Sequence, residues 1–535
     1  MAGTQFPVDI YAVKEYGVKK WQGEFFWPVS DDEFVKLGTE IDRYLKDEIN
    51  RQSGEMSDLL LIYSSLRAEY LLFFHALKVA QRVKAAGKEL MYSDKTLWYK
   101  EIASGERMEI PKLRRGKAKY TFINRIKVEA ARIIWRILYN DRLSKVFNPK
   151  ENKEIVYIFN SLTPLMKLYM KNSPYTFNMT SERDWAEDSS FVSIPDNLLN
   201  SIEDTSRAIS ANLASTADRN GIELSDNHKG YLTKLTESML TDAARIMYSI
   251  KPKIEDRRNA RFFLSTFVSY FPRALAVLAR KNGGHVTTFS HGGSIGLYDA
   301  STMAFQEFAV SDEYVTYNKK STELFERIKN NNPALRNNDT LITSCDDNAY
   351  ENMWLINRNK PLPKEIKKVM IIGYPHNQGR KYHAPGSVSL IQLDLELRLA
   401  DFLRGHGYDV FYKAHPDRIA EVKGVFDDSA KVLEGYFQNY IDSVDAFIFG
   451  SIRTTAFLVA LCTNKPVIGF MMENERFKPF PEALESLKKR CNMVKAKFDE
   501  HNRIVFNEKK LSDALAQKPT QPNTEFIEKY IFPEK

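Results

Sequence analysis

The chain has 535 residues, which is too long for one hydrophobic core and predicts two domains with additional elements. Its apolar content of 43% and charged content of 27% are typical of a soluble globular protein. Three cysteines lie far apart, at Cys345, Cys462 and Cys491, which excludes a disulfide framework and a cysteine-based metal site. A reducing compartment is therefore favoured.

The amino-terminal sequence MAGTQFPVDIYAVKEYG lacks a basic stretch followed by an apolar one, so we expect no secretory signal. Nowhere does an apolar run reach the length that crosses a bilayer. These features predict a cytoplasmic protein.

The positive charge is concentrated in residues 111–150, which hold twelve basic residues and two acidic ones. Because the whole chain carries a net charge of +8, the remainder is close to neutral. The pattern TFINRIKVEAARIIWRILYNDRL predicts a basic amphipathic helix, inserted in the first domain. Two interpretations stay open: the helix lies on an anionic membrane surface, or it packs on the domain with its basic face solvated or turned toward an acidic acceptor. Nucleic acid is not expected as a partner, because no DNA- or RNA-binding motif accompanies the charge.

Strand and helix patterns alternate through residues 1–330. A helix at 31–50, a buried strand at 58–65, a helix at 68–86 and a short strand at 89–93 predict a βαβ unit with parallel strands. Residues 180–260 are mostly helical in pattern. Further strands are predicted at 154–159, 175–179, 262–268, 285–289 and 307–312, the last continued by 314–318, with a helix at 273–281.

A histidine and two glycines follow the predicted strand 285–289 in the sequence TTFSHGGSIG. Gly292 and Gly293 would let the backbone approach a ligand closely and expose N–H groups. His291 could act as a general acid or base, or bind phosphate. Glu307 and Asp312 bound the next predicted strand and are the candidate catalytic carboxylates; they could equally be solvated strand ends.

Residues 331–367 are rich in Asn, Pro and charge and are predicted to link two domains, with LITSC as a short strand inside. Beyond them, strands are predicted at 369–373, 409–412, 431–433, 446–449 and 466–470. Helices are predicted at 390–404 (amphipathic), after His415 and Pro416, before Asp442, and at 454–462. This alternation predicts a doubly wound α/β domain.

Two of these strands end in residues suited to holding an anion, in DVFYKAHPD and FGSIRTT. Because the carboxyl ends of parallel strands share one edge, both groups are expected to face one crevice, with phosphate at a helix N-terminus. Taken singly, the His-Pro pair also suits an ordinary turn and the threonines an ordinary N-cap. The candidate ligand-binding residues are Lys413, His415, Pro416, Ser451, Arg453, Thr454 and Thr455, with Arg380 in the loop after the first strand.

Other phosphate sites are not indicated by the sequence. It contains neither a GxxxxGK[ST] loop nor a GxGxxG turn after the first strand, which argues against P-loop enzymes and dinucleotide-dependent oxidoreductases. No DxD stands at a predicted strand end, so no metal site is predicted.

The set S-H-G-G, K-A-H-P and G-S-x-x-T-T before P-V-I-G resembles the GT-B glycosyltransferases of bacterial surface polysaccharide synthesis. The nearest are capsule and lipopolysaccharide Kdo transferases, CMP-sialic-acid transferases and CDP-glycerol glycerophosphotransferases. The resemblance covers residues 285–318 and 369–475. Two departures stand out: the turn reads Ser-Ile-Arg-Thr-Thr instead of a double serine, and no residue clearly matches the family's catalytic carboxylate.

The resemblance implies two Rossmann-like doubly wound domains that face a cleft. It also implies that the His-Pro pair contacts the nucleotide phosphate and ribose, that the hydroxyl-rich turn holds phosphate, and that the histidine–glycine turn lies on the acceptor side. The residues concerned are His415 and Pro416, then Ser451, Thr454 and Thr455, and finally His291, Gly292 and Gly293.

The expected organisation is an acceptor-side domain (1–330), a linker (331–367), a nucleotide-sugar-binding domain (368–510) and a helical tail (511–535). The expected function is transfer of a sugar, such as a CMP-activated ulosonic acid of the Kdo or sialic-acid type, onto a bacterial surface glycan or glycolipid. Three alternatives stay open: a CDP-glycerol-type phosphotransferase, a UDP-sugar transferase, and a non-catalytic glycan- or nucleotide-binding assembly protein. No cofactor is expected besides the donor substrate, and the location is the cytoplasm or the inner face of the cytoplasmic membrane.

Overall fold

A computed structural model describes the chain in part. The described residues are 5–64, 67–106, 108–110, 155–159, 163–185, 192–265, 267, 270–290, 296–299, 303, 307–332, 339–346, 348–374, 389–473 and 479–534. The predicted basic insertion 111–150, the turn residues His291, Gly292 and Gly293, and Arg380 lie outside them.

The described residues form an α/β structure with parallel sheets, as predicted. The strands are β1 (Gln5–Pro7), β2 (Glu89–Met91), β3 (Ile155–Phe159), β4 (Thr176–Met179), β5 (Arg261–Leu264), β6 (His285–Phe289), β7 (Glu313–Thr316), β8 (Leu341–Ser344), β9 (Lys368–Ile372), β10 (Asp409–Lys413), β11 (Lys431–Leu433), β12 (Ala446–Phe449), β13 (Val467–Met472), β14 (Asn492–Phe498) and β15 (Ile504–Phe506). Within this part of the chain, six strands form a parallel sheet in the order β4-β3-β5-β6-β7-β8. Seven form a second sheet in the order β11-β10-β9-β12-β13-β14-β15, parallel except for β15.

Helices connect and cover these strands. They are α1 (Ile10–Tyr16), α2 (Val18–Gly23), α3 (Asp31–Arg51), α4 (Gly54–Tyr63), α5 (Ala68–Ala85), α6 (Leu97–Ser104), α7 (Pro164–Lys171), α8 (Glu182–Trp185), α9 (Asp196–Arg219), α10 (Asp226–Glu255), α11 (Tyr270–Lys281), α12 (Lys319–Asn331), α13 (Ala349–Asn357), α14 (Ser389–Gly405), α15 (Ile419–Val422), α16 (Thr455–Leu461), α17 (Pro481–Arg490), α18 (Glu508–Ala516) and α19 (Glu525–Tyr530). None of the helices described is both long and apolar enough to cross a membrane.

The central strands of the seven-stranded sheet follow the prediction closely. All four residues of β12 are buried, as are the last four of β9. Strands covered on both faces need continuous apolar runs, and such runs are visible in the sequence without knowledge of their partners.

The strand predicted at 58–65 is wrong, because residues 58–63 belong to α4. This helix contacts α3, α10 and α11 and buries Leu59, Leu60 and Ile62 together. A short apolar run that is buried on all sides has the same appearance in a helix and in a strand. The predicted βαβ unit at this point is therefore absent, and β2 pairs instead with β1.

The strand predicted at 307–312 is also wrong. Residues Phe308–Val310 form a 3-10 helix, and the strand begins only at Glu313. Two hydroxyl groups hold the turn: Ser311 donates to the Glu307 carbonyl at 2.7 Å and Thr340 donates to the Phe308 carbonyl at 2.7 Å. The three apolar residues Phe308–Val310 are buried by this turn, so an apolar run at this position does not indicate a strand.

The segment 331–367, predicted as a linker, contains regular structure. Strand β8 pairs in parallel with β7 and is an edge strand of the six-stranded sheet, and α13 follows it. The LITSC strand is confirmed.

The helix predicted at 390–404 is confirmed as α14, but it is not simply amphipathic. Gln392, Asp394 and Glu396 are buried within it. Asp394 lies 2.8 Å from Arg398 and 3.0 Å from Arg503, which compensates its charge. The polar residues that suggested a solvated face therefore face the protein interior.

The first and last described segments each reach across the fold. Lys19 in α2 forms an ion pair of 2.9 Å with Asp401 in α14, beside the seven-stranded sheet. At the other end, Asn318, which caps α12 beside the six-stranded sheet, donates to the Phe532 carbonyl at 2.7 Å.

Candidate functional site

The seven-stranded sheet reverses its strand order between β9 and β12. Strand β9 comes first in the chain; β10 and β11 lie on one side of it, and β12 and β13 on the other. The chain therefore leads from β9 to strands on one side of the sheet and from β12 to a strand on the other, and a crevice is expected at the carboxyl ends. Open parallel sheets bind their ligands at this kind of position.

A cavity of about 290 Å³ occupies that position. Its size is close to the lower limit for small-molecule sites, roughly 300–1,000 Å³. Six of the residues predicted from the sequence line it together, although they come from two separate regions, the end of β10 and the segment after β12: Lys413, His415, Pro416, Arg453, Thr454 and Thr455. Ser451 does not belong to the cavity lining; its hydroxyl accepts from the Arg453 N–H at 3.4 Å.

Gly373 forms the floor of the cavity directly after β9. Its N–H donates to the Lys413 carbonyl at 3.0 Å, which continues the pairing of the two strands. A Cβ added at this position would lie 2.7 Å from Cζ of the Tyr412 ring, closer than real Cβ contacts allow. Only glycine therefore lets the backbone pass the tyrosine and leaves space above it.

Lys413 brings a positive charge to this floor. The residue is only 4% exposed, and its Nζ donates to the neighbouring Ala414 carbonyl at 2.5 Å. Burial lowers the pKa of Lys413, and the negative charge of Glu434 opposes that shift. A buried ammonium with few protein partners gains most from an incoming anion.

The His415 turn rests on a buried ion pair below the cavity. Arg418 closes the turn through its N–H, which donates to the His415 carbonyl at 2.8 Å. Its guanidinium donates to the Tyr374 carbonyl at 2.9 Å and to Glu396 at 3.3 Å, and both charged side chains are 1% exposed. The pair thereby connects Tyr374, just after β9, to the turn after β10, and it fixes the positions of these two segments relative to each other.

Glu396 is held by more than its arginine. The Tyr374 N–H donates to it at 2.7 Å and the Tyr412 hydroxyl at 2.8 Å. Burial raises the pKa of Glu396, whereas the positive charge of Arg418 and these donors oppose the rise. The hydrogen bonds satisfy the carboxylate where water does not reach it.

The turn after β12 supplies the other side of the cavity. Thr454 is the N-cap of α16, and its hydroxyl accepts from the Phe457 N–H at 3.2 Å, so the alternative of an ordinary N-cap is confirmed for this residue. Thr455 and Arg453 are exposed there. The Arg453 guanidinium also lies over the Tyr298 ring, 4.7 Å from its centre.

Glu307, near the six-stranded sheet, is buried and only 6% exposed, so it is not a solvated strand end. It acts electrostatically on Arg273, near the start of α11: burial lowers the pKa of Arg273 to about 10, and the charge of Glu307 opposes this change. Arg273 itself donates to the Leu61 carbonyl at 2.8 Å and to the Ser64 hydroxyl at 3.1 Å.

Asp312 lies just before the amino end of β7, away from the carboxyl edge. One of its oxygens accepts from Arg280 at 2.8 Å and the other from the Val286 N–H at 2.8 Å. The structure therefore does not bring Asp312 to the carboxyl edge of its sheet. These contacts suit a residue that ties α11 to β6 and β7.

Seven further cavity residues were not among the predicted site residues: Ile372, Gly373, Ala414, Gly435, Tyr436, Phe437 and Ala456. The sequence contains a signal for the two glycines, since Gly373 ends the strand pattern VMIIG and Gly435 begins the run Gly-Tyr-Phe, which follows the short strand 431–433 after one residue, Glu434. Glycine at a strand end indicates close approach of backbone to a ligand or a neighbouring strand.

Among the residues that the structure describes, no group of three or more His, Cys, Asp or Glu side chains is arranged to hold a metal ion. Comparison of the chain with models of known protein families, and with curated proteins, finds no match. What the cavity binds is therefore inferred from the chemistry of its residues.

Proposed function

We propose that the protein is a glycosyltransferase that takes a sugar from a nucleotide-activated donor, a CMP-activated ulosonic acid of the Kdo or sialic-acid type, and adds it to a bacterial surface glycan or glycolipid. One observation carries the proposal. Lys413 and His415 at the end of β10, and Arg453 and Thr455 after β12, line one cavity at the point where the strand order reverses.

The chemistry of the cavity suits a leaving nucleoside monophosphate. When the bond from the sugar to the phosphate breaks, negative charge grows on the phosphate oxygens, and preorganised donors stabilise it by about 3 kcal/mol each. Lys413 and Arg453 both line the cavity, and a guanidinium can bind two phosphate oxygens at once. His415, a third lining residue, is suited to donate a further hydrogen bond.

A GT-B arrangement, with the acceptor bound on the six-stranded sheet, is part of the proposal. It is supported by the contact of Arg453 with Tyr298, which comes soon after the predicted acceptor-side turn 291–293. Backbone contacts continue from there: Tyr298 pairs with Pro479, and the Phe480 N–H donates to the Leu297 carbonyl at 2.9 Å. The donor cavity thus adjoins Leu297 and Tyr298, which follow the predicted acceptor-side turn in the sequence.

Glu307 is retained as the candidate base that accepts the proton of the acceptor hydroxyl. Asp312 is not retained, because both of its oxygens are engaged before the amino end of β7. The contact of segment 111–150 with an anionic membrane surface, and a location at the inner face of the cytoplasmic membrane, stay predictions.

A thermal-shift assay with CMP, CDP and UDP tests the proposal. A ligand at about 100 times its Kd stabilises the folded protein by about 2.7 kcal/mol. We expect CMP to raise the unfolding temperature of the unmodified protein and of the control His406→Ala, whose histidine is exposed at the end of α14. The His415→Ala variant should lose this shift.

The other outcomes separate the alternatives. Stabilisation by CDP without CMP would favour the CDP-glycerol-type phosphotransferase, and stabilisation by UDP alone a UDP-sugar enzyme. Glu307→Gln should keep the CMP shift and lose sugar transfer; a variant that keeps both would remove Glu307 from the mechanism. If no nucleotide shifts the unfolding temperature, the glycosyltransferase proposal is wrong.

A further inference from the structure

Tyr436 is an exposed aromatic residue at the rim of the cavity. It lines the cavity and is nevertheless 75% exposed. No other large hydrophobic residue in the described part of the chain is as exposed. A lone exposed tyrosine is ordinary on a protein surface. At the mouth of the cavity, held by the backbone described next, it offers a flat apolar face to a ligand.

The backbone holds this ring in place. Gly435, just before it, has φ of 85°, in the left-handed region that favours glycine. Phe437, just after it, is buried, and its ring centre lies 5.2 Å from that of Phe447 in β12. Glycine turns the chain and phenylalanine anchors it, so Tyr436 has to point away from the core.

Tyr436 lies at the opposite end of the cavity from Arg453 and Thr455, and Lys413 and His415, at the end of β10, come between them in the sheet order. Tyr436 follows β11, whereas Arg453 and Thr455 follow β12, and two strands separate these in the sheet order β11-β10-β9-β12. Three inter-strand spacings amount to about 14 Å. A phosphate alone cannot reach from one end to the other, but a phosphate followed by a ribose and a planar base extends in this direction.

We propose that Tyr436 is the platform on which the nucleobase of the donor stacks. The inference rests on the proposed function and adds to it a residue that the motif resemblance does not include. Aromatic side chains stack on any base, because every base has a π face. Tyr436 therefore supplies affinity for the base without choosing its identity, and the hydroxyl of the tyrosine is not needed.

Isothermal titration of the full chain with CMP and with ribose 5-phosphate tests the inference. The second ligand keeps the phosphate and the ribose and lacks the base. We expect Tyr436→Ala to weaken CMP binding about 10-fold to 100-fold and to leave ribose 5-phosphate binding within about twofold. Tyr436→Phe should bind both ligands as the unmodified protein does.

A matched control is Ile356→Ala, which removes another exposed apolar side chain, 69% exposed and located in α13 outside the cavity. It should bind CMP unchanged. Because Tyr436 is mostly exposed, its removal should not alter the thermal unfolding of the free protein.

The outcomes distinguish this inference from the function on which it rests. If the unmodified protein binds CMP and Tyr436→Ala binds it equally well, stacking is wrong and the donor site stands. Stacking is also wrong if ribose 5-phosphate binds as tightly as CMP, or if Tyr436→Ala weakens both ligands equally. If the unmodified protein binds no nucleotide, both proposals are wrong.

Discussion

Replacing Arg418 by methionine perturbs the buried ion pair below the cavity. Methionine is a long, unbranched side chain that fills much of the same space, so the main change is the loss of the guanidinium. Glu396 then keeps its hydrogen bonds from the Tyr374 N–H and the Tyr412 hydroxyl but loses its positive partner at 3.3 Å.

The expected cost is about 3–5 kcal/mol of unfolding free energy at pH 7, since removing one partner of a buried pair leaves an uncompensated charge. Burial already raises the pKa of Glu396, and loss of Arg418 should raise it further. A carboxyl group whose folded pKa lies above its unfolded value destabilises the protein as pH rises through that window. The loss should therefore shrink as pH falls from 7 toward the unfolded pKa of Glu396.

Urea denaturation of the variant at several pH values, followed by circular dichroism, measures this. The double variant Arg418→Met with Glu396→Gln should recover much of the stability at pH 7, because no buried charge remains. Arg398→Met is a control. It removes a partly exposed arginine from Asp394, and both residues lie in α14, the helix that also carries Glu396. A loss in Arg418→Met below about 1 kcal/mol, or one that does not change with pH, would refute this account of the pair.

Three further predictions concern single residues. Gly373→Ala should lower the free energy of unfolding by about 1–3 kcal/mol and abolish CMP binding, because the added Cβ would meet the Tyr412 ring. An unchanged urea denaturation curve together with unchanged CMP binding would contradict this. Glu313→Gln should reduce the loss of stability in acid. Burial alone raises the pKa of Glu313, but His285 and two threonine hydroxyls outweigh burial and lower the pKa. The Glu313 carboxylate therefore contributes stability above its unfolded pKa, and this contribution is lost as pH falls through its folded pKa. Urea denaturation of the variant and of the unmodified protein between pH 7 and 3 measures this loss of stability. Thr454→Ala should cost about 1 kcal/mol through the lost N-cap of α16, whereas Thr455→Ala should leave stability unchanged and weaken CMP binding.

The residues of the cavity were in large part predictable, because the signals are local. Lys413 ends one apolar strand and His415 comes two residues later, and Arg453 and Thr455 closely follow another strand. Parallel strands bring their carboxyl ends to one edge, so a list of residues after strands is already a list of neighbours. The role of Thr454 was not predictable in this way, since a threonine after a strand suits a ligand contact and an N-cap equally.

Elsewhere the local pattern was insufficient. Residues 58–65 and 307–312 contain apolar runs that are buried on several sides, and periodicity does not separate helix, turn and strand in such runs. Asp312 was predicted as catalytic because it ends a supposed strand, but that strand begins one residue later, at Glu313. One error in an element boundary thus moved a carboxylate to the wrong edge of the sheet.

The sequence by itself determined five strands of the seven-stranded sheet, β9 to β13, and the polar residues that end β10 and follow β12, because an apolar run followed by a polar turn needs no distant partner to be recognised; β14 and β15 were not predicted. Tertiary structure alone decided which of these residues share a cavity, that a buried Arg418–Glu396 pair supports the His415 turn, and that Tyr436 stands exposed at the rim. Each of these features depends on contacts between elements that are distant in the sequence.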